Sequence, residues 1–232
     1  YGVTREAVRG LDVVLADGTL LRTGRRTVKG VTGLDLTALL IGSEGTLGVI
    51  VGATLALTPI PAGEVATIAA YFPSIEQAAA ASAAITAARL RPAIMELVDP
   101  VALAAILRHL GMRDRAPGSA HLLVQTDGPA AAAEATAALA IITERGGHAT
   151  LTVDPDEGEA LLAVRRAMHP AMETLGPVLI EDVAVPRSRL PEMFAAIRAI
   201  ADRYGMLIPT VSHAGDGNLH PNLVYEGEEV PD

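Results

Sequence analysis

Leu207-Ile208-Pro209-Thr210-Val211-Ser212-His213-Ala214-Gly215-Asp216-Gly217-Asn218-Leu219-His220-Pro221-Asn222-Leu223-Val224-Tyr225 decides the fold. Residues 207–211 and 219–225 read as short apolar strands, and Gly215-Asp216-Gly217-Asn218 between them is turn chemistry. The stretch is therefore a hairpin, and the sheet that it closes is antiparallel. His213 and His220 fall on opposite arms near the loop. Cross-strand partners have Cβ atoms roughly 4.5–5.5 Å apart, so two imidazole nitrogens can meet one cation. Neutral imidazole suits zinc and similar divalent ions, and a catalytic zinc site takes three protein ligands with one position open. Asp216 offers a carboxylate, although a residue at the loop tip can also point away. The alternative is a polar turn that carries two half-exposed histidines.

Working outward, the chain of 232 residues is long enough for one large domain or two small ones. Half of it is hydrophobic, yet aromatics make up 3% and Trp is absent, so Ala, Leu, Val and Ile must build the core. A net charge of −9 argues against a nucleic-acid partner, which would require a basic patch. With no cysteine there is neither a disulfide nor a thiolate metal site, and any metal has nitrogen and oxygen ligands. No stretch reads as a signal peptide, and no apolar run reaches the ~18 residues of a membrane span. The expected location is the cytoplasm, with a peripheral place at the membrane left open. The first residue is Tyr1 rather than Met, and the chain stops at Val230-Pro231-Asp232 just after its richest motif. Both ends read as cut from something longer.

Residues 1 to about 60 read as β-rich. Leu11-Asp12-Val13-Val14-Leu15 and Thr19-Leu20-Leu21-Arg22-Thr23 flank Ala16-Asp17-Gly18, the signature of a type I′ hairpin turn. Asp35 can cap a short helix that runs to Leu40, and a strand of alternating character begins at Val49. Pro59-Ile60-Pro61-Ala62-Gly63 breaks regular structure and marks a boundary, giving domains 1–61 and 62–232. Beyond it strands alternate with alanine-rich helices. Ser74 with Gln77 opens one helix, Pro129 opens another that Gly146 ends, Pro170 kinks or restarts a third, and Ser188 caps a fourth running to Tyr204. Strands are expected over 65–72, 94–98, 121–126, 149–153 and 179–185. The pattern predicts an α+β domain in which helices pack on an antiparallel sheet.

Three further groups carry potential chemistry. The loop Gly42-Ser43-Glu44-Gly45-Thr46-Leu47-Gly48 lets main chain approach a ligand closely, or is an ordinary tight turn. Arg165 and Arg166 lie within a helix, where one guanidinium fork could grip a carboxylate or both could simply face solvent. Glu181 and Asp182 interrupt an apolar strand, and either edge exposure or a pocket explains them. His148 and His169 read as surface residues.

Read together, three motifs resemble the FAD-linked oxidases of the vanillyl-alcohol-oxidase type. These are Tyr1-Gly2-Val3-Thr4-Arg5 with Leu11 to Gly18, Asp35-Leu36-Thr37 with Gly42 to Ile50, and His213-Ala214-Gly215-Asp216-Gly217-Asn218-Leu219-His220. The likeness is to the branch of glycolate oxidase FAD subunits, D-lactate dehydrogenases and D-2-hydroxyglutarate dehydrogenases, and it runs over essentially the whole chain. It implies that residues 1–61 are the tail of an FAD-binding domain and 62–232 a cap domain truncated at its C-terminus. Gly42, Ser43, Glu44, Gly45, Gly48, Val49 and Ile50 would lie along the FAD, largely through backbone contacts. His213 and His220 would ligate a divalent metal, zinc by preference, while Arg165 would hold a substrate carboxylate and Asn222 would touch substrate. Ile180 occupies the place of a lysine that contacts dicarboxylates, which favours a smaller 2-hydroxy acid of the D-lactate or glycolate type.

The implied reaction is oxidation of that acid to the 2-oxo acid, with electrons leaving to a quinone, an electron-transfer flavoprotein or an iron–sulfur partner. The resemblance also places the phosphate-binding loop before Tyr1, and a third metal ligand with a basic histidine after Asp232. This stretch alone is thus expected neither to bind FAD tightly nor to turn over substrate. Two other classes stay open on the residues themselves. One is a metal-dependent hydrolase built on His213, His220 and Asp216; the other is a non-catalytic small-molecule-binding module.

Overall fold

Proline and glycine at 59–63 divide the chain, and two compact units result, Tyr1–Ile60 and Pro61–Asp232. The computed structural model describes residues 3–25, 27, 29–112 and 119–227. Tyr1-Gly2 of the first motif and the terminal Val230-Pro231-Asp232 lie outside the described residues.

The first unit holds α1 (Thr4–Ala7), β1 (Val8–Val14), β2 (Leu20–Arg22), α2 (Leu36–Leu40) and β3 (Val49–Leu55). Its antiparallel sheet has the order β2-β1-β3. The Asp-Gly turn differs from the expected type I′. Only Gly18 has positive φ, at 82°, and its N–H donates to the Leu15 carbonyl at 2.9 Å. Asp17 instead uses its carboxylate to accept from Thr19 N–H at 2.9 Å, so the loop gains one residue and a single left-handed glycine suffices. Asp35 caps α2 by accepting from Ala38 N–H at 3.0 Å. Leu11, Val13 and Leu40 form a small core. Along β3 the alternating pattern buries neither face: Val49, Ile50, Val51 and Leu55 all stand exposed.

The second unit contains β4 (Val65–Phe72), α3 (Ile75–Ala87), β5 (Ile94–Val98), α4 (Pro100–His109), β6 (Ala120–Asp127), α5 (Ala131–Glu144), β7 (His148–Thr152), α6 (Pro155–Arg166), α7 (Met168–Glu173), β8 (Val178–Ile180), β9 (Val183–Ala184), α8 (Leu190–Tyr204), β10 (Thr210–His213) and β11 (Asn218–Val224). All pairings are antiparallel in the order β7-β4-β6-β5-β10-β11-β8, with β9 beside β11. The α+β antiparallel architecture read from the sequence is therefore present, and helices cover both faces. On one face Ile68, Phe72, Leu97, Leu122, Val124 and Leu219 pack against α3, α5 and α8. On the other, Ala69, Val98, Leu123 and Val211 meet α4, α6 and α7. Ala78, Ala79, Ala81, Ala102, Ala135, Ala138 and Ala171 are fully buried, or within a few per cent of it. Such short side chains bring helices close to the sheet without aromatic bulk.

Several element boundaries differ from expectation for local reasons. Pro129 sits in the turn before α5 rather than opening it. Ser188 does not cap α8: it lies in a single 3-10 turn, Arg187–Arg189, and the α-helix starts at Leu190 with Pro191 in its first turn. The third helix breaks at Ala167, so that Pro170 falls in the first turn of α7, where its missing N–H costs nothing. Glu181 and Asp182 are exposed and split the expected 179–185 strand into β8 and β9.

Asp99 joins three elements of this unit. One carboxylate oxygen caps α4 by accepting from Ala102 N–H at 2.7 Å, and the other accepts from Thr210 N–H at 2.9 Å, where β10 begins. Replacing it by Ala removes a cap and leaves the buried Thr210 N–H without its acceptor. Denaturant unfolding of Asp99→Ala is expected to show a loss of about 2–4 kcal/mol; a loss below about 0.5 kcal/mol would contradict this role.

His121, 1% exposed, stands on the α4–α6–α7 face of the sheet, its ring 5.0 Å from that of Tyr71. Neither ring nitrogen has a hydrogen-bond partner among the described residues, and a void of about 40 Å³ bordered by Leu107, Leu161 and Val164 adjoins it. Burial pushes the imidazole down from 6.5 to about 4. Between those values the unfolded chain takes up a proton that the fold refuses. The contribution of His121 to stability is thus fully present above pH 6.5 and is lost as pH drops towards about 4, roughly 3 kcal/mol in all, whereas Asp99, whose carboxyl burial raises to about 7, acts in the opposite sense over that range. Urea unfolding across that window should show the parent losing stability relative to His121→Leu as pH falls. An identical fall in both would assign the acid sensitivity elsewhere.

Candidate functional site

The hairpin of β10 and β11 forms, with Ala214 to Gly217 as its turn. Gly217 has φ 89° and its α-carbon faces the Val185 carbonyl, so close that an added Cβ would sit 2.1 Å from that oxygen. Only glycine fits there. Register pairs His213 with Asn218 and Val211 with His220. The histidines are therefore diagonal neighbours on one face rather than directly opposed. Their rings meet edge to face with centroids 5.1 Å apart.

A residue unremarked in the sequence completes the arrangement. Glu96 lies directly opposite His213 across the β5–β10 pairing. His213 Nδ1 is 2.8 and 3.0 Å from the two Glu96 carboxylate oxygens. Glu96 Oε2 also lies 3.6 Å from Nε of Arg165, at the C-terminal end of α6. The Glu96 side chain is 14% exposed and that of Arg165 44%, so the carboxylate is shielded while the guanidinium is open to solvent. Arg165, Glu96, His213 and His220 thus form one connected row on the α4–α6–α7 face. The signal in the sequence was a lone acid inside the apolar strand Ile94-Met95-Glu96-Leu97-Val98.

The hydrogen bond to Glu96 is the main cause that holds the His213 pKa above the usual imidazole value; burial opposes it, and the negative charges of Glu96 and Asp216 add to it. Asp216 itself accepts from Asn218 N–H at 3.1 Å, an Asx turn that shapes the loop tip. It does not join the imidazoles as the carboxylate considered from the sequence. Among the described residues no group of three or more His, Cys, Asp or Glu is arranged to hold a metal ion. The hydrolase reading, which needs Asp216 on the pair, loses its third ligand.

The remaining candidates separate. Asn222 is fully buried: its amide N–H groups donate to the Pro209 and His220 carbonyls at 3.2 and 2.7 Å, and its Oδ1 has no hydrogen-bond partner among the described residues. From that position its amide nitrogen braces the hairpin. Arg166 points away from Arg165 and pairs with Glu159 on the helix surface. Asn218 Nδ2 donates to Asp182 Oδ1 at 2.9 Å, which gives that exposed acid a role in holding the hairpin. Ile180 pairs with Asn222 across β8 and β11 and is 44% exposed.

Gly42, Ser43, Glu44, Gly45, Gly48, Val49 and Ile50 belong to the first unit. Gly42, Glu44 and Gly45 have φ of 78°, 50° and 79°. Thr46 N–H closes the turn on the Ser43 carbonyl at 2.9 Å. A Cβ on Gly48 would lie 2.7 Å from Val13 Cγ1, so glycine lets the loop pack against β1. Ser43 Oγ is buried with no hydrogen-bond partner among the described residues.

Residues 62–230 match the family described as FAD linked oxidases, C-terminal domain. The chain is 40% identical over 230 residues to the glycolate oxidase subunit GlcD of Bacillus subtilis (strain 168), covering 97% of this chain and 49% of that protein. It is 32% identical to a mitochondrial D-lactate dehydrogenase [cytochrome] of Arabidopsis thaliana, covering 97% of this chain and 40% of that one. A D-lactate dehydrogenase of Archaeoglobus fulgidus is 34% identical, with 99% and 51% covered. The chain thus spans about half the length of the curated relatives it matches. Among solved structures, p-cresol methylhydroxylase with substrate bound aligns at TM-score 0.69 and 13% identity, over 95% of this chain and 51% of that one. Alkyldihydroxyacetonephosphate synthase aligns at 0.65 and 16%, over 96% and 47%. These last two likenesses concern the fold.

Titration of the histidine side-chain resonances tests the local electrostatics. His213 is expected to titrate above 6.5 and to fall back towards that value in Glu96→Gln. A His213 titration that Glu96→Gln leaves unmoved would contradict the assigned cause.

Proposed function

The chain belongs to the FAD linked oxidases, and from that premise we propose that it orients a small 2-hydroxy acid, of the D-lactate or glycolate type, for oxidation to the 2-oxo acid. The row Arg165–Glu96–His213–His220 on one sheet face carries the reading. The names of the relatives, glycolate oxidase subunit and D-lactate dehydrogenase, support the substrate class. Residues 1–61 serve as the end of the FAD-binding domain and 62–232 as the substrate cap.

The side chains of the row divide the work. Arg165, whose Nε faces Glu96, keeps its terminal nitrogens clear of other described residues. They bind the substrate carboxylate as a two-pronged fork. His213 is committed through Nδ1 to Glu96, which leaves Nε2 free, and the His220 ring stands beside it. Those two imidazoles, one of them backed by a carboxylate in the manner of metal-bound histidines, would supply two of the three protein ligands that a catalytic zinc takes. A cation held there would supply Lewis-acid polarisation of the substrate hydroxyl. FAD, when bound, would supply the hydride-accepting chemistry. The loop 42–50 fits a flavin through its open glycines, the unpartnered Ser43 Oγ and the exposed Val49 and Ile50. Ile180, half-exposed and apolar, favours a substrate without a second carboxylate. Reoxidation by a quinone, an electron-transfer flavoprotein or an iron–sulfur protein, in the cytoplasm or at a membrane surface, belongs to the same proposal. No helix among the described residues is long and apolar enough to cross a membrane.

The flavin-loaded protein carrying this chain tests the reading. Anaerobic D-lactate or glycolate should bleach its visible absorbance, and Arg165→Lys, which keeps the charge but loses the fork, should raise the KM roughly tenfold or more. A flavin that stays oxidised with every 2-hydroxy acid tried would refute the substrate class.

A further inference from the structure

Resting on the reading of His213 and His220 as a cation pair, we propose that Glu96 is a positioning residue that fixes the His213 imidazole as the Nδ1–H tautomer and aims its Nε2 at the cation. First, Glu96 and His213 are register partners on adjacent central strands, so their meeting is imposed by the sheet and does not depend on side-chain chance. Both carboxylate oxygens lie within 3.0 Å of Nδ1, and an ionised carboxylate only accepts. Nδ1 must therefore carry the proton, and in the neutral ring Nε2 is left as a lone pair. Second, the same carboxylate holds Arg165 at 3.6 Å, so it is braced from the helix side as well.

The consequence is a division of labour that the residue types alone conceal. A free imidazole in water prefers no fixed orientation and exchanges its proton between nitrogens. Here one strand supplies the ring and the next supplies the group that orients it. Glu96 acts through His213 and, by its second contact, through Arg165. Losing it should weaken cation binding and loosen the arginine together, whereas loss of His220 should affect the cation alone.

The experiment uses the protein carrying this chain, its histidines labelled with nitrogen-15, free of metal, about two pH units above the ordinary imidazole value near 6.5. In the parent the His213 signals should report Nδ1 protonated and Nε2 bare. Glu96→Gln, whose amide oxygen still accepts, should keep that pattern, and Glu96→Ala should release it to a mixture dominated by Nε2–H. Zinc titration of the same three samples should then show affinity falling by roughly 10–100-fold in Glu96→Ala, with a smaller loss in Glu96→Gln. An unchanged tautomer in Glu96→Ala overturns the positioning role. A parent that binds no zinc while its tautomer follows Glu96 overturns the cation reading of the pair instead, so the two failures are told apart. Far-ultraviolet circular dichroism identical to that of the parent shows that the Ala variant is folded, and His148, distant in the sheet order on the edge strand β7, serves as an internal control whose signals should not move.

Discussion

The register between β5 and β10 is the constraint on which the candidate site depends. It sets His213 against Glu96 and Val211 against Val98, while Asp99, one residue further along, accepts from Thr210 N–H. A slip of one residue would turn every side chain of β10 to the opposite face. Ser212 would then meet Glu96, and His213 would enter the apolar layer where Leu97 and Leu122 pack against α3. The buried Asp99 clamp resists that slip because its two oxygens are already committed to α4 and β10. Fold and site are here fixed by the same few hydrogen bonds.

Around that register, the composition does the rest. With aromatics at 3% of the chain, small side chains allow helices on both sides of one sheet. The α4–α6–α7 layer is deepest over β4, β5 and β6, where Leu123 and His121 are buried. Towards β10 and β11 the cover thins, and His213 and His220 are only half-buried. The sheet thus runs from a dry region, where an imidazole is kept neutral, to an open one, where another is paired with a carboxylate. Arg165 marks the edge between them, at the last turn of the helix that covers the dry side.

Much of this was legible in the residues. The hairpin around His213 and His220, the antiparallel α+β class, and the capping residues Asp35 and Ser74 follow from turn chemistry and periodicity. Ser188 misled because three residues of 3-10 helix intervene before the α-helix, and such a turn leaves no distinct pattern. Asp17-Gly18 misled because one left-handed glycine serves a longer loop as well as two serve a shorter one. Glu96 escaped notice for a different reason. Its partner lies 117 positions away, and only strand order brings the two together. Asn222 shows the converse: a polar residue beside a motif can be spent on bracing backbone carbonyls.

The account stands or falls on whether the paired imidazoles of the hairpin hold a cation. Anomalous diffraction at the zinc absorption edge, from crystals of the protein equilibrated with zinc, measures this directly. The account predicts one dominant peak within coordination distance of both His213 and His220, with Glu96 still on the far nitrogen of His213. Density confined to other histidines such as His109 or His148, or no peak at the hairpin, would contradict it.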